Sequence, residues 1–168
     1  NNGVYFGKDG YLLQKPDKLN RELLEENIAA VNEFAGKVPA RVYFLPAPAS
    51  VQILDDRLPP FAAPRQTLDH LYLVREKLAS GIYFIDTCHA LNSHKQEYIY
   101  YKTDHHWTSQ GAYYAYREAG SVMNFEPLDL SDFSVEQACD DFYGTLYSKS
   151  GHRFVRADAI RIFKPKEE

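Results

Sequence analysis

The sequence predicts an α/β fold in which a mainly parallel sheet is flanked by helices. Three observations lead there. Residues 41–45 and 82–86 are short and largely apolar, the pattern of strands covered on both faces. Each follows a segment whose apolar residues recur at helical spacing, over 20–35 and 67–80. An aromatic and β-branched run at 98–102, followed by a helical pattern at 108–123, continues the alternation. Strand–helix–strand units in series pair in parallel through right-handed crossovers.

Taken in order, Gly3, Gly7 and Gly10 punctuate an apolar opening and predict a hairpin around Lys8-Asp9-Gly10, read as a plain edge element. Asn20 is placed to cap a helix with Leu24, Ile28, Val31 and Ala35 on one face, and Gly36 to stop it. Pro46 and Pro48 end the strand at 41–45, which leaves Ser50 near its carboxyl end. Residues 54–64, rich in proline and acid, read as a loop. Thr67 starts the next helix, with Leu68, Leu71, Tyr72, Arg75 and Leu78 on a stripe, and Gly81 ends it. Asp86 closes the second strand, placed to cap the turn before Ala90-Leu91, and His89 and His94 read as exposed loop histidines. Thr108 or Ser109 caps the helix after the third strand, whose inner face would carry Ala112, Tyr113, Tyr116 and Met123. Beyond it the sequence predicts a short helix at 134–138, a loop over 141–154 holding Ser148 and Ser150, and a last strand at 159–163.

At 168 residues the chain reads as one domain, 1–168, long enough to bury a core. The net charge of −4 comes without any Lys/Arg cluster, which argues against nucleic acid as a partner. Neither a membrane-length apolar run nor a signal peptide is visible. Cys88 and Cys139 read as two separate thiols, with a bridge as the alternative.

The chemistry concentrates in residues 98–116, YIYYKTDHHWTSQGAYYAY, centred on Asp104-His105-His106-Trp107. A strand-to-helix connection in an α/β sheet lies at the carboxyl edge, where ligands bind. In an extended segment Asp104 and His106 point the same way, because side chains alternate with a period of two. A carboxylate beside an imidazole fixes its tautomer and stabilises the imidazolium formed when it takes a proton. A helix N-terminus nearby favours the neutral ring at rest, which suits a general base. Trp107 could wall the site from water or stack on a sugar ring. The plain alternative is a helix cap beside a satisfied histidine pair. A metal site on Asp104, His105 and His106 is a third reading, weakened because adjacent histidines point apart and no HExxH or close cysteine pair adds ligands.

The stretch YYKTDHHWTSQGAYYAY resembles the signature of the DHHW family, bacterial proteins related to the alginate O-acetyltransferases of the SGNH-hydrolase superfamily. The agreement extends to VYFGKDGYLL, LPAPAS and DFYGTLYSKSG. The resemblance implies an SGNH/flavodoxin-like sheet and a Ser-His-Asp triad in which Asp-x-His precedes the serine. Carried over by position, Asp104 is the orienting acid and His106 the base, while His105 occupies the x position. Trp107, His105, Tyr147 and Ser148 are the candidate substrate contacts. The resemblance further implies a carbohydrate or acyl-ester substrate, a membrane-bound acyl-donor partner, an extracytoplasmic location (secreted or membrane-anchored), and neither cofactor nor metal.

One departure stands out. In that family the nucleophile lies on a later strand in a Gly/Asp-Ser-like turn, and neither GDS nor GxSxG occurs here. The expectation is therefore an N-terminal part of the family domain, lacking the strands that carry the nucleophile and with an incomplete sheet. Ser50, placed like the nucleophile of unpermuted SGNH enzymes, is the local candidate. A non-catalytic carbohydrate-binding or assembly module is the alternative function.

Overall fold

Three separate pairs of strands, rather than one wide and mainly parallel sheet, organise the described residues. The computed structural model describes residues 2–60, 62 and 66–166, and of residues 66–69 only the backbone. The first pair is the expected hairpin, β1 (Val4–Phe6) antiparallel to β2 (Leu12–Gln14). Asp9 and Gly10 take positive φ in its turn. The hairpin does more than close an edge: Leu12 N donates to Lys102 O at 2.7 Å, and Lys102 Nζ reaches Asp9 O at 2.9 Å. It braces the loop that carries Asp104.

Helix α1 (Arg21–Lys37) starts at the predicted cap, where Asn20 Oδ1 accepts Leu23 N at 3.1 Å and satisfies one otherwise orphaned amide. Ile28 is buried and Leu24, Val31 and Ala35 half-buried, the expected face. Gly36 does not stop the helix, which ends one residue later with Val38 extended. Pro39 gives the reason, since a residue before proline is driven out of the α region.

β3 (Val42–Phe44) and β4 (Ile82–Phe84) form the parallel pair, in register from Val42↔Ile82 to Phe44↔Phe84. The crossover between them holds α2 (Ser50–Ile53) and α3 (Gln66–Lys77). A 3-10 turn at Asp55–Arg57 interrupts the expected loop, which lies partly outside the described residues. On α3, Leu71 is half-buried, as is Leu78 just beyond it, while Tyr72 and Arg75 of the expected stripe are exposed; the side chain of Leu68 lies outside the described residues. After β4, Asp86 Oδ1 accepts Cys88 N at 3.0 Å and starts α4 (Cys88–Ser93), the expected cap.

Residues 98–102 do not form the predicted third strand. They fold back on their own continuation, with an isolated antiparallel bridge Tyr100↔Trp107, Tyr101 N on His106 O at 3.2 Å and Thr108 N on Ile99 O at 2.9 Å. Backbone groups paired inside one loop are not available to a neighbouring strand. Ile99 and Tyr100 are both fully buried, among Tyr11, Leu13, Val51, Ile53 and Leu91. Burying an aliphatic side chain such as Ile99 stabilises by about 1.5–3 kcal/mol, and Tyr100 adds its own large buried ring, so this pair anchors the loop firmly.

Helix α5 (Ser109–Met123) is capped by Thr108, whose Oγ1 accepts Gly111 N at 3.4 Å. Its buried face is Gly111, Tyr113, Ala115, Ala119 and Gly120; Ala112 and Tyr116 are half-buried and Met123 is exposed, a rotation from the expected face. Gly111 causes it, because a Cβ there would sit 2.3 Å from Ile99 O, so only glycine lets the helix approach the loop this closely. The expected helix at 134–138 is instead part of β5 (Phe133–Phe142), antiparallel to β6 (Asp158–Pro165) with Val135 opposite Phe163. Pairing with distant residues, from Ser134↔Lys164 to Gln137↔Arg161, overrides the local pattern. Within the expected loop at 141–154 lies α6 (Thr145–Ser150), which carries Ser148 and Ser150. Both cysteines are free thiols. Among the described residues no helix is long and apolar enough to cross a membrane.

Candidate active site

Asp104 lies at the tip of the 99–108 loop with 3% of its surface exposed, and both oxygens of its carboxylate are doubly hydrogen-bonded. Oδ1 accepts the His106 amide at 3.0 Å and His106 Nδ1 at 2.6 Å. Oδ2 accepts the Thr145 amide at 2.8 Å and the Thr145 hydroxyl at 2.9 Å. Burial by itself pushes the carboxyl pKa up; the four donors outweigh it and hold it at about 2. Asp104 is therefore an anion at neutral pH.

The protonation pattern follows from the donors. An ionised carboxylate only accepts, so His106 Nδ1 carries a proton, and in the neutral ring the lone pair is on Nε2. The ring is 68% exposed, so the basic nitrogen sits on an accessible side chain. His105 is placed differently: its Nδ1 is 2.9 Å from Thr145 Oγ1 and 3.7 Å from Asp104 Oδ1. Thr145 has one hydroxyl proton, which goes to Asp104, so it accepts from His105. The two imidazoles lie 3.9 Å apart at 37°, so the adjacent histidines do not point apart as expected, because the segment is bent rather than extended.

Gly144 makes the second close approach. A Cβ at this position would lie 2.4 Å from Asp104 Cβ and 2.5 Å from Oδ2, so the turn before α6 can deliver Thr145 to the carboxylate only through glycine. Neither Gly144 nor Thr145 stands out in a sequence reading. Their signal is the GT of the YGTLYS segment, where Tyr147 and Ser148 drew the assignment instead.

A groove of about 300 Å³ opens beside the pair, at the small end of ligand-pocket volumes. His105, His106 and Trp107 form one wall, Ala47–Val51 a second, and Gln14–Asp17 a third. Ser50 and His106 thus share one cavity, and Tyr100 Oη ties the two walls together by donating to Pro48 O at 2.7 Å. Ser50 is 2% exposed. Trp107 is half-buried and packs on the main core, so it contributes structure as well as a groove surface. Tyr147 and Ser148 are not among the groove's lining; Tyr147 lies tilted against Tyr143 at 4.4 Å, under the Arg153 guanidinium, and its amide donates to Thr103 O. Asp86 accepts the Cys88 amide in the turn before α4 and lies 3.9 Å from Arg75. His94 is not a free loop residue, since its ring stacks on Tyr114 at 3.7 Å and its Nδ1 meets Glu97 at 2.7 Å.

One donor atom from each of Asp104, His105 and His106 falls within 4.8 Å of the others, a spacing that could hold an ion. The arrangement does not fit one well. Both Asp104 oxygens already accept two hydrogen bonds, His106 Nδ1 is committed to that carboxylate, and His105 Nδ1 to Thr145. The same contacts suit an oriented base.

Residues 4–149 match the model of a family described as the SGNH hydrolase-like domain of the acetyltransferase AlgX. No curated protein matches the sequence. Among solved structures, a DHHW family protein from Eubacterium siraeum is similar with 24% identity and a TM-score of 0.81, over 99% of this chain and 55% of that one. Bacillus cereus PatB1 with a sulfonyl adduct matches with 20% identity and a TM-score of 0.71, over 99% of this chain and 58% of that one. The O-acetyltransferase domain of Pseudomonas putida AlgJ matches with 21% identity and a TM-score of 0.70, over 98% and 66%. The chain thus spans just over half the length of the first two, and at these identities the likeness establishes the fold. Taken with the family match, it shows that the chain belongs to the AlgX-type SGNH hydrolase-like acetyltransferase domain family.

Proposed function

We propose that Asp104 and His106 are the acid and base of an SGNH-type acyl-transfer site that moves an acetyl group to or from a carbohydrate hydroxyl outside the cytoplasm. The observation that carries this reading is the 2.6 Å contact between Asp104 Oδ1 and His106 Nδ1, which leaves Nε2 as the basic nitrogen on an exposed ring beside a groove. In the proposed sequence His106 Nε2 takes the proton of a serine hydroxyl as that oxygen attacks the acetyl ester carbonyl. The tetrahedral adduct collapses to acetyl-serine, and the imidazolium, stabilised by Asp104, returns the proton to the departing alkoxide. An acceptor hydroxyl of sugar or water then repeats the steps in reverse.

The serine is proposed to lie outside these 168 residues, on the later strand that the family resemblance implies. Ser50 is the competitor because it lines the same groove, but its near-complete burial leaves little surface for an ester to approach. Carbohydrate as substrate, and a membrane-bound donor of the acetyl group, rest on that resemblance. The AlgJ domain is named an O-acetyltransferase, which supports acetyl as the group moved. His105 and Trp107, which line the groove, are the proposed substrate contacts; Tyr147 and Ser148, on α6, would meet only a substrate that extends beyond it.

Turnover of a chromogenic acetyl ester by a protein that includes the later strand tests the reading. His106→Ala should lower kcat by about a hundred- to ten-thousand-fold. Turnover that survives this substitution would refute the assignment. Retained sugar binding without any turnover would favour a binding module instead.

A further inference from the structure

A second buried carboxylate stands behind the first. Asp158, the opening residue of β6, is 2% exposed and accepts four hydrogen bonds, all from the segment just before Asp104. Oδ1 accepts Lys102 N at 2.8 Å and the Tyr98 hydroxyl. Oδ2 accepts Thr103 N at 2.8 Å and Thr103 Oγ1 at 2.5 Å. A buried charge is tolerated only when satisfied in this way. Asp158 lies outside the residues matched by the family model and has no part in the proposed acyl transfer.

Thr103, fully buried, faces both ways. Its hydroxyl proton goes to Asp158, so its oxygen is left to accept the Gly144 amide, at 3.0 Å. Its carbonyl accepts Tyr147 N at 3.0 Å. These two bonds fix the first turn of α6, the turn whose Thr145 amide and hydroxyl hold Asp104 Oδ2. A continuous path of hydrogen bonds and single covalent steps therefore runs from Asp158 through Thr103, Gly144 and Thr145 to Asp104 and His106.

We infer that Asp158 and Thr103 are positioning residues for the Asp104–His106 pair, setting the direction of the carboxylate through α6. The inference rests on the acid–base reading of that pair for its catalytic consequence, but not for its geometry. Valine at 103 would keep the shape and remove the hydroxyl, leaving an Asp158 lone pair and the Gly144 amide unpaired. Serine would keep both contacts.

The test uses the far-downfield proton resonance of His106 Nδ1–H in this chain, assigned by its loss in His106→Ala. Thr103→Val is expected to shift or broaden that signal while circular dichroism stays native, and Thr103→Ser to preserve it. Asp158→Asn, which weakens the same path from its far end, should give the Thr103→Val result. An unchanged signal in a folded Thr103→Val protein would overturn the inference. So would loss of fold in both Thr103→Val and Asp158→Asn, because Asp158 would then hold the fold as a whole rather than the pair. In a protein that turns over acetyl ester, Thr103→Val should lower kcat on the order of a hundred-fold with KM held, the scale of a misplacement near 1 Å. If the resonance moves while His106→Ala leaves turnover intact, the positioning stands and the acyl-transfer reading falls.

Discussion

A carboxylate with 3% exposure keeps its charge in this loop only because four donors meet it, and that fact makes Asp104 testable by pH. Its folded pKa, about 2, lies below the ordinary value near 3.9. A depressed folded value adds stability that is present above the unfolded pKa and lost as pH falls through the folded one. That contribution, about 2–3 kcal/mol, should therefore fade between about pH 4 and pH 2, and Asp104→Asn should remove that step from a stability profile measured by denaturant unfolding. A profile with an unchanged acid step in the variant would show that other carboxylates carry it. Gly144→Ala should be more damaging than its size implies, since the added methyl overlaps Asp104; overpacking of this kind costs about 1–3 kcal/mol, and thermal melts would register it. His105→Ala should cost kcat far less than His106→Ala, because the carboxylate contact goes to the second residue and not to the first. The sequence expectation named the right Asp104–His106 pair for the wrong reason: residues 102–106 are bent rather than extended, and Asp104 Oδ1 turns back to accept both the amide and the ring of His106. Thr145 was not legible, because its contact spans 41 positions and nothing local marks a threonine as a partner.

The long helices, the opening hairpin and the strands at 41–45 and 82–86 declared themselves, whereas the run at 98–102 and the segment at 134–138 did not. Asn20 and Thr108 were readable as caps because a cap is a local event, a side-chain oxygen three residues before the amide it accepts. Thr108 does more than cap: its hydroxyl donates to Tyr98 O at 2.7 Å and clamps the base of the site loop. Thr108→Ala should therefore cost about 1–2 kcal/mol in a denaturant melt and also disturb the His106 Nδ1–H signal, whereas Asn20→Ala should cost about 1 kcal/mol and leave that signal alone. Equal effects of the two on the signal would mean that it reports overall stability and not the loop. The strand at 98–102 and the helix at 134–138 failed as expectations for one reason. Whether an apolar or mixed run becomes a strand depends on the partner it finds, and the partners, Trp107 for Tyr100 and Phe163 for Val135, carry no local mark.

At the scale of the molecule, the fold class was legible and the width of the sheet was not. The crossover from β3 through α3 to β4 is the predicted parallel unit, but its two strands stand alone among the described residues, and Tyr83 remains 48% exposed. The candidate site does not depend on a wide sheet. It is assembled from the loop at 99–108, the segment at 46–50 and the turn into α6, joined by Tyr100 on Pro48 and Thr145 on Asp104. On the acyl-transfer reading proposed above, the assembly supplies the base and a groove, and one comparison tests where the nucleophile lies. This chain and a protein that includes the later strand proposed above should be assayed side by side with a chromogenic acetyl ester and a serine-directed sulfonyl probe. The expected result on that reading is little or no turnover by the short chain, turnover by the long one, and labelling of a serine on the later strand. Ser50→Ala in the long chain should then leave the labelling in place, since the probe reacts elsewhere. Turnover by the short chain that disappears with Ser50→Ala and with His106→Ala would instead make Ser50 the nucleophile, its burial relieved as the groove opens to substrate.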